Sequence, residues 1–102
     1  MTKYFISRHP GAIEWAAGQG LHVDEYLQHL EPSIVRSGDT VIGSLPVSLA
    51  AKVCEAGAAY WHLSLELPAD MRGQELTAVD LQSLGARIEA YNVQRLTTEP
   101  KL

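Results

Sequence analysis

Three polar side chains stand together near the start of the chain, directly after a short apolar run. Residues 4–6 read Tyr-Phe-Ile, and Ser7, Arg8 and His9 follow them. Pro10 then suits the first position of a helix, where its missing N–H would have no partner anyway. A guanidinium beside a helix N-terminus attracts anions, and an imidazole can transfer protons near neutral pH. These residues therefore predict one wall of a pocket for an anionic ligand.

Further polar groups follow the apolar residues 40–42 and 59–65. In an open parallel sheet, ligands bind outside the carboxyl ends of the strands, so these groups would face the same ligand. Glycines in this region let a phosphate approach the backbone closely. We therefore predict ligand-binding residues at the strand ends and in the loop beyond them, namely Ser7, Gly11, Gly43, Ser44, Arg72 and Glu75.

Each of these side chains also has a purely structural interpretation, which the sequence leaves open. His62 lies inside an apolar segment beside Trp61, where a histidine satisfied in a core or interface is more common than a catalytic one. The other structural alternatives are a helix cap for Ser7, a surface ion pair for Arg8, an exposed turn for His9, a turn hydroxyl for Ser44 and a local ion pair between Arg72 and Glu75.

The sequence lacks the common metal and nucleophile motifs. His22 and His29 have no spacing partner that would complete a metal site, and neither HExxH nor a pair of cysteines occurs. GxGxxG and GxSxG are absent as well. Cys54 is the only cysteine and cannot form an intrachain disulfide, so we expect a reduced thiol in the core. We predict neither a metal nor a cofactor.

The polar groups need a scaffold that brings the strand ends to one edge. Residues 3–8 predict a strand, and residues 12–18 predict a helix that ends at a pair of glycines. Residues 21–30 fit a helix or an edge strand, and we favour a strand over residues 23–27. Residues 32–38 predict a turn or a single helical turn.

The clearest unit is a strand–helix–strand pattern over residues 40–65. Residues 40–42 and 59–65 are strand-like, and a helix over residues 47–56 has an apolar face of Leu49, Ala50, Val53 and Cys54. A ten-residue helix rises ~15 Å and a five-residue strand ~17 Å, so the helix can return along the strand. This pattern predicts a right-handed parallel crossover.

The last segment predicts a helix that begins after Thr77, because Thr77 and Asp80 have the spacing of a capping box. Its apolar face would run through Leu81, Leu84, Ile88 and Tyr91, and we expect the tail after Leu96 to be frayed. Alternating strands and helices indicate a small Rossmann-like α/β fold, a mainly parallel sheet flanked by helices.

Length and charge narrow the classes of function. The 102 residues allow one domain, over residues 1–102. The net charge of −4 argues against long DNA or RNA as a partner, but a small anionic ligand needs only a local basic pocket. No apolar stretch approaches the roughly 20 residues of a membrane span, and the start lacks the apolar core of a signal peptide. We expect a cytoplasmic protein.

Four segments in one order give the chain a family resemblance. They are YFISRHPGAIEWA, GDTVIGSLPVSLAAKVCEAGA, YWHLSLELP and MRGQELT. Together they cover roughly residues 3–93, and the chain resembles a family of small CRISPR-associated proteins that accompany type III systems. The family is related to CARF-like sensors, so the resemblance implies a CARF-like fold and a cyclic oligoadenylate as ligand.

The resemblance also implies an activity, that of a ring nuclease which opens cyclic tetra-adenylate and switches off the immune signal. In such a reaction the ribose 2′-hydroxyl attacks its own phosphate, so the protein has to align and stabilise rather than supply a nucleophile. Our own interpretation of the residues makes Arg8 the charge-stabilising group and His9 the general acid or base. Metal ions are not needed for this chemistry.

A cyclic tetranucleotide is compatible with two-fold symmetry, so a homodimer could present the same pocket twice to one ligand. Two alternatives to the ring nuclease remain. One is a sensor or sponge that binds the cyclic nucleotide without cutting it, and the other is a structural or interaction subunit without a nucleotide site.

Overall fold

Five short strands form one sheet in the computed structural model, which describes residues 1–98 and 100–101. The strands are β1 (Lys3–Ile6), β2 (Glu25–Leu27), β3 (Thr40–Gly43), β4 (Ala59–Ser64) and β5 (Arg87–Tyr91). Three helices flank the sheet, α1 (Pro10–Gly18), α2 (Val47–Glu55) and α3 (Ala78–Ser83), and single 3-10 turns occur at Pro32–Ile34 and Ala69–Met71.

The strand order is β2-β1-β3-β4-β5. Strands β1 to β4 are parallel, and β5 runs antiparallel to β4. The chain leaves β1 toward β2 on one side and then crosses to β3 on the other, so β1 and β3 flank the switch point of the sheet. This arrangement confirms the predicted α/β fold with a mainly parallel sheet, including the crossover from β3 through α2 to β4.

Side chains of alternate strand residues build one core on each face of the sheet. Tyr4 and Val41 face α2, where Val53 is fully buried. Phe5 and Ile42 face α1 and α3, and both are fully buried. Each such apolar side chain stabilises the fold by about 1.5–3 kcal/mol. The two cores hold β1 and β3 firmly at the centre of the sheet.

Helix α3 begins where the sequence predicted. The Thr77 hydroxyl accepts a hydrogen bond from the backbone N–H of Asp80 at 3.1 Å, and the Asp80 carboxylate accepts one from the Thr77 N–H at 2.9 Å. This reciprocal pair is a capping box, with aspartate in place of the usual glutamate.

The predicted continuation of this helix to Tyr91 is wrong. Helix α3 ends at Ser83, and Gly85 takes a left-handed conformation with φ of 73°, which stops a helix. Residues beyond it form β5, in which Ile88 lies opposite Leu63 of β4. Strand β5 gives the backbone of β4 the hydrogen-bond partners that a longer helix would have left missing.

Other boundaries differ by one or two residues. The first strand ends at Ile6 rather than residue 8, although the Ser7 N–H still donates to Leu27 O at 2.9 Å. The strand favoured over residues 23–27 occupies Glu25–Leu27, and a single 3-10 turn lies within residues 32–38. The expected fraying after Leu96 falls partly on residues 99 and 102, which lie outside the described residues. Within the described part of the chain, no helix is long and apolar enough to cross a membrane.

Candidate functional site

A cavity of about 870 Å³ opens at the carboxyl ends of the parallel strands. We call it the strand-end cavity. Segments that follow β1, β2 and β3 line it together with the end of β4 and the connection from β4 to α3; the polar lining residues are Ser7, Arg8, His9, Gln28, His29, Ser44, Gln74 and Glu75. Most of the remaining wall is leucine. An open α/β sheet binds its ligands at this edge, beside the switch point.

The corner between β1 and α1 contributes Ser7, Arg8 and His9 to the cavity. The Ser7 hydroxyl oxygen accepts a hydrogen bond from the His9 N–H at 3.1 Å, so its own O–H is not used in that bond. His9 is the N-cap residue of α1, and its side chain makes no capping bond. Arg8 is exposed and forms no ion pair with any described residue. The corner thus presents a hydroxyl donor, a guanidinium and an imidazole.

The turn between β3 and α2 contributes Ser44 and Leu45. The Ser44 hydroxyl donates to Leu63 O at 2.7 Å, which leaves its oxygen as an acceptor. Ser44 is therefore suited to receive a hydrogen bond from a ligand hydroxyl or amine rather than to donate one to a phosphate.

Tyr60, beneath this turn, was not foreseen from the sequence. Its hydroxyl accepts from the Leu45 N–H at 3.0 Å and lies 3.0 Å from Gly43 O and 2.6 Å from His62 Nδ1. Burial raises the pKa of Tyr60, which favours the neutral phenol. Tyr60 positions the turn that carries Ser44.

The predicted glycines lie against protein backbone rather than against the cavity. A side chain at Gly11 would begin 2.0 Å from Leu76 O, where α1 meets the start of α3. A side chain at Gly43 would begin 2.9 Å from Ile6 O of the neighbouring strand. Both positions require glycine for packing, and neither belongs to the described lining of the cavity.

Arg72 and Glu75 separate in the structure. Glu75 lines the strand-end cavity, whereas Arg72 is exposed and does not belong to its described lining. The local ion pair between them is not formed among the described residues. His62, the other residue considered, packs its ring at 5.9 Å from the Tyr91 ring, between β4 and β5. It also stands apart from the described lining of the cavity.

Gln28 and His29 were missed as cavity residues. They follow β2, whose last residue Leu27 pairs with Ile6 of β1. Because the two strands are parallel and adjacent, the residues after them emerge at the same edge. Placing the favoured strand at 23–27 beside β1 would have identified His29 from the sequence.

No group of three or more metal-binding side chains occurs within residues 1–98 and 100–101. Cys54 is partly buried, and its sulfur accepts a hydrogen bond from the Val93 N–H at 3.4 Å. Cys54 does not belong to the described lining of the strand-end cavity.

A family model described as "Putative CRISPR-associated protein (Cas_VVA1548)" matches residues 4–94. The chain belongs to this CRISPR-associated family. The matched range contains every described residue of the strand-end cavity, so the cavity lies within the part of the chain that defines this CRISPR-associated protein. No curated protein and no solved structure matches the chain.

Proposed function

We propose that this CRISPR-associated protein is a ring nuclease that binds cyclic tetra-adenylate in the strand-end cavity and opens it, which ends signalling in a type III CRISPR response. The observation that carries the proposal is the convergence of Ser7, Arg8 and His9 with the N-terminal ends of α1 and α2 at one cavity. Helix N-termini and a guanidinium both favour phosphate. The cavity volume of about 870 Å³ falls within the range of roughly 300–1,000 Å³ that is typical of small-molecule and cofactor sites.

The wall of the cavity suits the rest of such a ligand. Leu45, Leu49 and Leu63 offer apolar surface to a nucleobase, and the Ser44 oxygen can accept from a ribose hydroxyl or an adenine amine. Only a few phosphates have to be neutralised, so the negative net charge of the chain is no obstacle. A second copy of the chain would offer the same cavity to the other half of a two-fold ring.

In the proposed reaction, the ribose 2′-oxygen attacks the adjacent phosphorus while the bond from phosphorus to the 5′-oxygen breaks. Arg8 stabilises the charge that builds on the phosphoryl oxygens. His9 transfers a proton, either from the 2′-hydroxyl or to the 5′-oxygen. Ser7 donates its free O–H to a phosphoryl oxygen. The products are a linear nucleotide with a 2′,3′-cyclic phosphate and a free 5′-hydroxyl.

The test is incubation of the protein with cyclic tri-, tetra- and hexa-adenylate in EDTA, with products resolved by chromatography. We expect the linear product from cyclic tetra-adenylate, and sedimentation at about twice the mass of one chain. Arg8→Ala should slow single-turnover ring opening by ~10²–10³ and His9→Ala by ~10²–10⁴. Ligand binding should weaken more for Arg8→Ala, because the guanidinium is always charged and forms strong charge-assisted hydrogen bonds with phosphate in the ground state.

Arg95→Ala is the matched control, because Arg95 is exposed and its charge lies away from the cavity lining. It should open the ring at the rate of the parent protein. If the parent protein binds the ring but never cuts it, the protein is a sponge or sensor. If it does not bind, the remaining candidate is an interaction subunit. Equal rates for Arg8→Ala and the parent would show that the reaction takes place elsewhere.

A further inference from the structure

A second histidine lies at the same cavity as His9 and has no role in the reaction as described so far. His29 follows β2, and Arg8 follows β1, each two residues beyond the last pair of the parallel ladder, Ile6 with Leu27. Adjacent strands lie about 4.8 Å apart. The ladder therefore brings His29 to the cavity beside the corner that carries Arg8 and His9, and all three line it.

Ring opening needs two proton transfers, one from the 2′-hydroxyl and one to the 5′-oxygen. A single imidazole would have to move between two oxygens on opposite sides of the phosphorus, because attacking and leaving oxygens lie in line. Two imidazoles can serve the two oxygens separately, one neutral and one protonated. We propose that His29 is the second proton-transfer residue, a role that rests on the ring-opening function proposed above.

The step is balanced with the two histidines alone. One imidazole takes the 2′-hydroxyl proton as the oxygen–phosphorus bond forms, and the other gives its proton to the 5′-oxygen as the second bond breaks. The product is an isomer of the cyclic substrate, without water or any co-reactant consumed. The two rings end with exchanged protonation states and return to the start by exchange with solvent.

Few charged or titratable side chains line the cavity around His29. The titratable and charged side chains in the described lining of the cavity are Arg8, His9, His29 and Glu75. Glu31 lies two residues further along the chain and is exposed. His29 is itself exposed, so its replacement does not disturb a packed core.

The experiment measures single-turnover ring opening of cyclic tetra-adenylate between about pH 5 and 9 for the parent protein, His9→Ala, His29→Ala and His29→Gln. The parent profile should be bell-shaped. Both His29 variants should lose ~10²–10⁴ in rate together with one limb of the bell. Glutamine keeps a hydrogen bond but cannot transfer the proton, so it separates proton transfer from simple ligand contact. His22→Ala is the matched control, because His22 is exposed and belongs to no described wall of the cavity.

A second substrate tells which histidine serves which oxygen. Sulfur in place of the bridging 5′-oxygen leaves without protonation, so this substrate should restore the rate of the variant that lost the acid and not of the other. If the parent opens rings and both His29 variants show the same ring-opening rate and the same bell-shaped pH profile, His29 does not transfer a proton. In that case only this inference fails. Full rescue by glutamine would likewise overturn it. If the parent opens no ring, the proposed function fails and this inference fails with it.

Discussion

Two serine hydroxyls at the strand-end cavity have opposite hydrogen-bonding roles within the protein. The Ser7 oxygen accepts a hydrogen bond from a backbone N–H, so its O–H is free to donate to a ligand, whereas the Ser44 O–H already donates to Leu63 O. The sequence predicted both hydroxyls at strand ends but could not tell donor from acceptor, because that depends on contacts between distant residues. In the proposed function, Ser7 contacts a phosphate, and Ser44 contacts a hydroxyl or an amine of the ligand.

Tyr60→Phe should destabilise the protein, because the phenol hydroxyl is a hydrogen-bond partner of the Leu45 N–H and of Gly43 O. A buried polar group left without its partner costs about 1–3 kcal/mol. The free energy of unfolding, measured in urea, should fall by that amount. Tyr26→Phe is the control, because Tyr26 is 42% exposed; it should change the stability by no more than about 0.5 kcal/mol. Equal midpoints for both variants would contradict the role of Tyr60.

Tyr60→Phe should also change how the free energy of unfolding depends on pH in alkaline solution. Burial raises the pKa of Tyr60 in the folded state, so the folded protein favours the neutral phenol. The associated stability is present below the unfolded pKa of about 10 and is lost as the pH rises toward the folded value. Tyr60→Phe removes this group, so its stability should fall less steeply than that of the parent above about pH 10.

At the scale of elements, local patterns predicted the central part of the sheet and failed at its edge. The crossover from β3 to β4 is contiguous in sequence, so its strand, helix and turn signals lie side by side. Leu81, Leu84, Ile88 and Tyr91 fit a helical period, but only Leu81 lies in the six-residue helix α3, whereas Ile88 and Tyr91 lie in the edge strand β5. The choice depends on pairing between β5 and β4, a long-range contact that periodicity does not contain. His29 was missed for the same reason, since the neighbour of β2 was not known.

Gly11→Ala should weaken the contact between α1 and α3. The added carbon would begin 2.0 Å from Leu76 O and 3.0 Å from the Thr77 Cα, both of them backbone atoms that cannot rotate away. Overpacking of this kind costs about 1–3 kcal/mol or more. Ring opening should also slow, because Leu76 lines the strand-end cavity and has to move. Thermal unfolding measured by circular dichroism checks the first effect, and single-turnover rates check the second.

Gly18→Ala is the matched control in the same helix. A side chain at Gly18 would meet nothing within 4 Å, and alanine favours the helix by up to about 1 kcal/mol over glycine. We expect a small gain in stability with unchanged ring opening. If both alanine variants unfold at the same temperature, the contact between α1 and α3 does not require Gly11.

At the scale of the whole molecule, the two ends of the sheet have different hydrogen-bonding states. The carboxyl ends of the strands open on the cavity, where the Arg8 guanidinium forms no ion pair with any described residue. The opposite end is tied together by carboxylates: Asp39 accepts from the Thr2 and Arg36 N–H groups at 2.8 and 2.9 Å, and Asp24 accepts from Lys3 N–H at 2.8 Å. The run of polar residues in the sequence indicated where the cavity would lie. The isolated aspartates did not indicate that they would accept backbone hydrogen bonds at the opposite end of the sheet. We therefore expect substitutions at the aspartate end of the sheet to change stability without changing the proposed ring opening.

Asp39→Asn should reduce stability at neutral pH and flatten its dependence on acid. The backbone N–H groups of Thr2 and then Arg36 hold the pKa of Asp39 below its usual range. Because the pKa of Asp39 is lower in the folded protein, its ionised carboxylate stabilises the fold above the pKa of the unfolded chain, which is about 3.9. This stability is lost as the pH falls through the pKa of the folded state. Urea midpoints measured from about pH 7 down to about pH 2 should thus converge for parent and variant in acid. Asp70→Asn, in an exposed turn, should follow the parent curve throughout. Ring opening by folded Asp39→Asn should match the parent at neutral pH, because this end of the sheet lies opposite the cavity. If the urea midpoints of parent and variant differ by the same amount down to the lowest pH, the hydrogen bonds of the Asp39 carboxylate do not stabilise the fold as proposed.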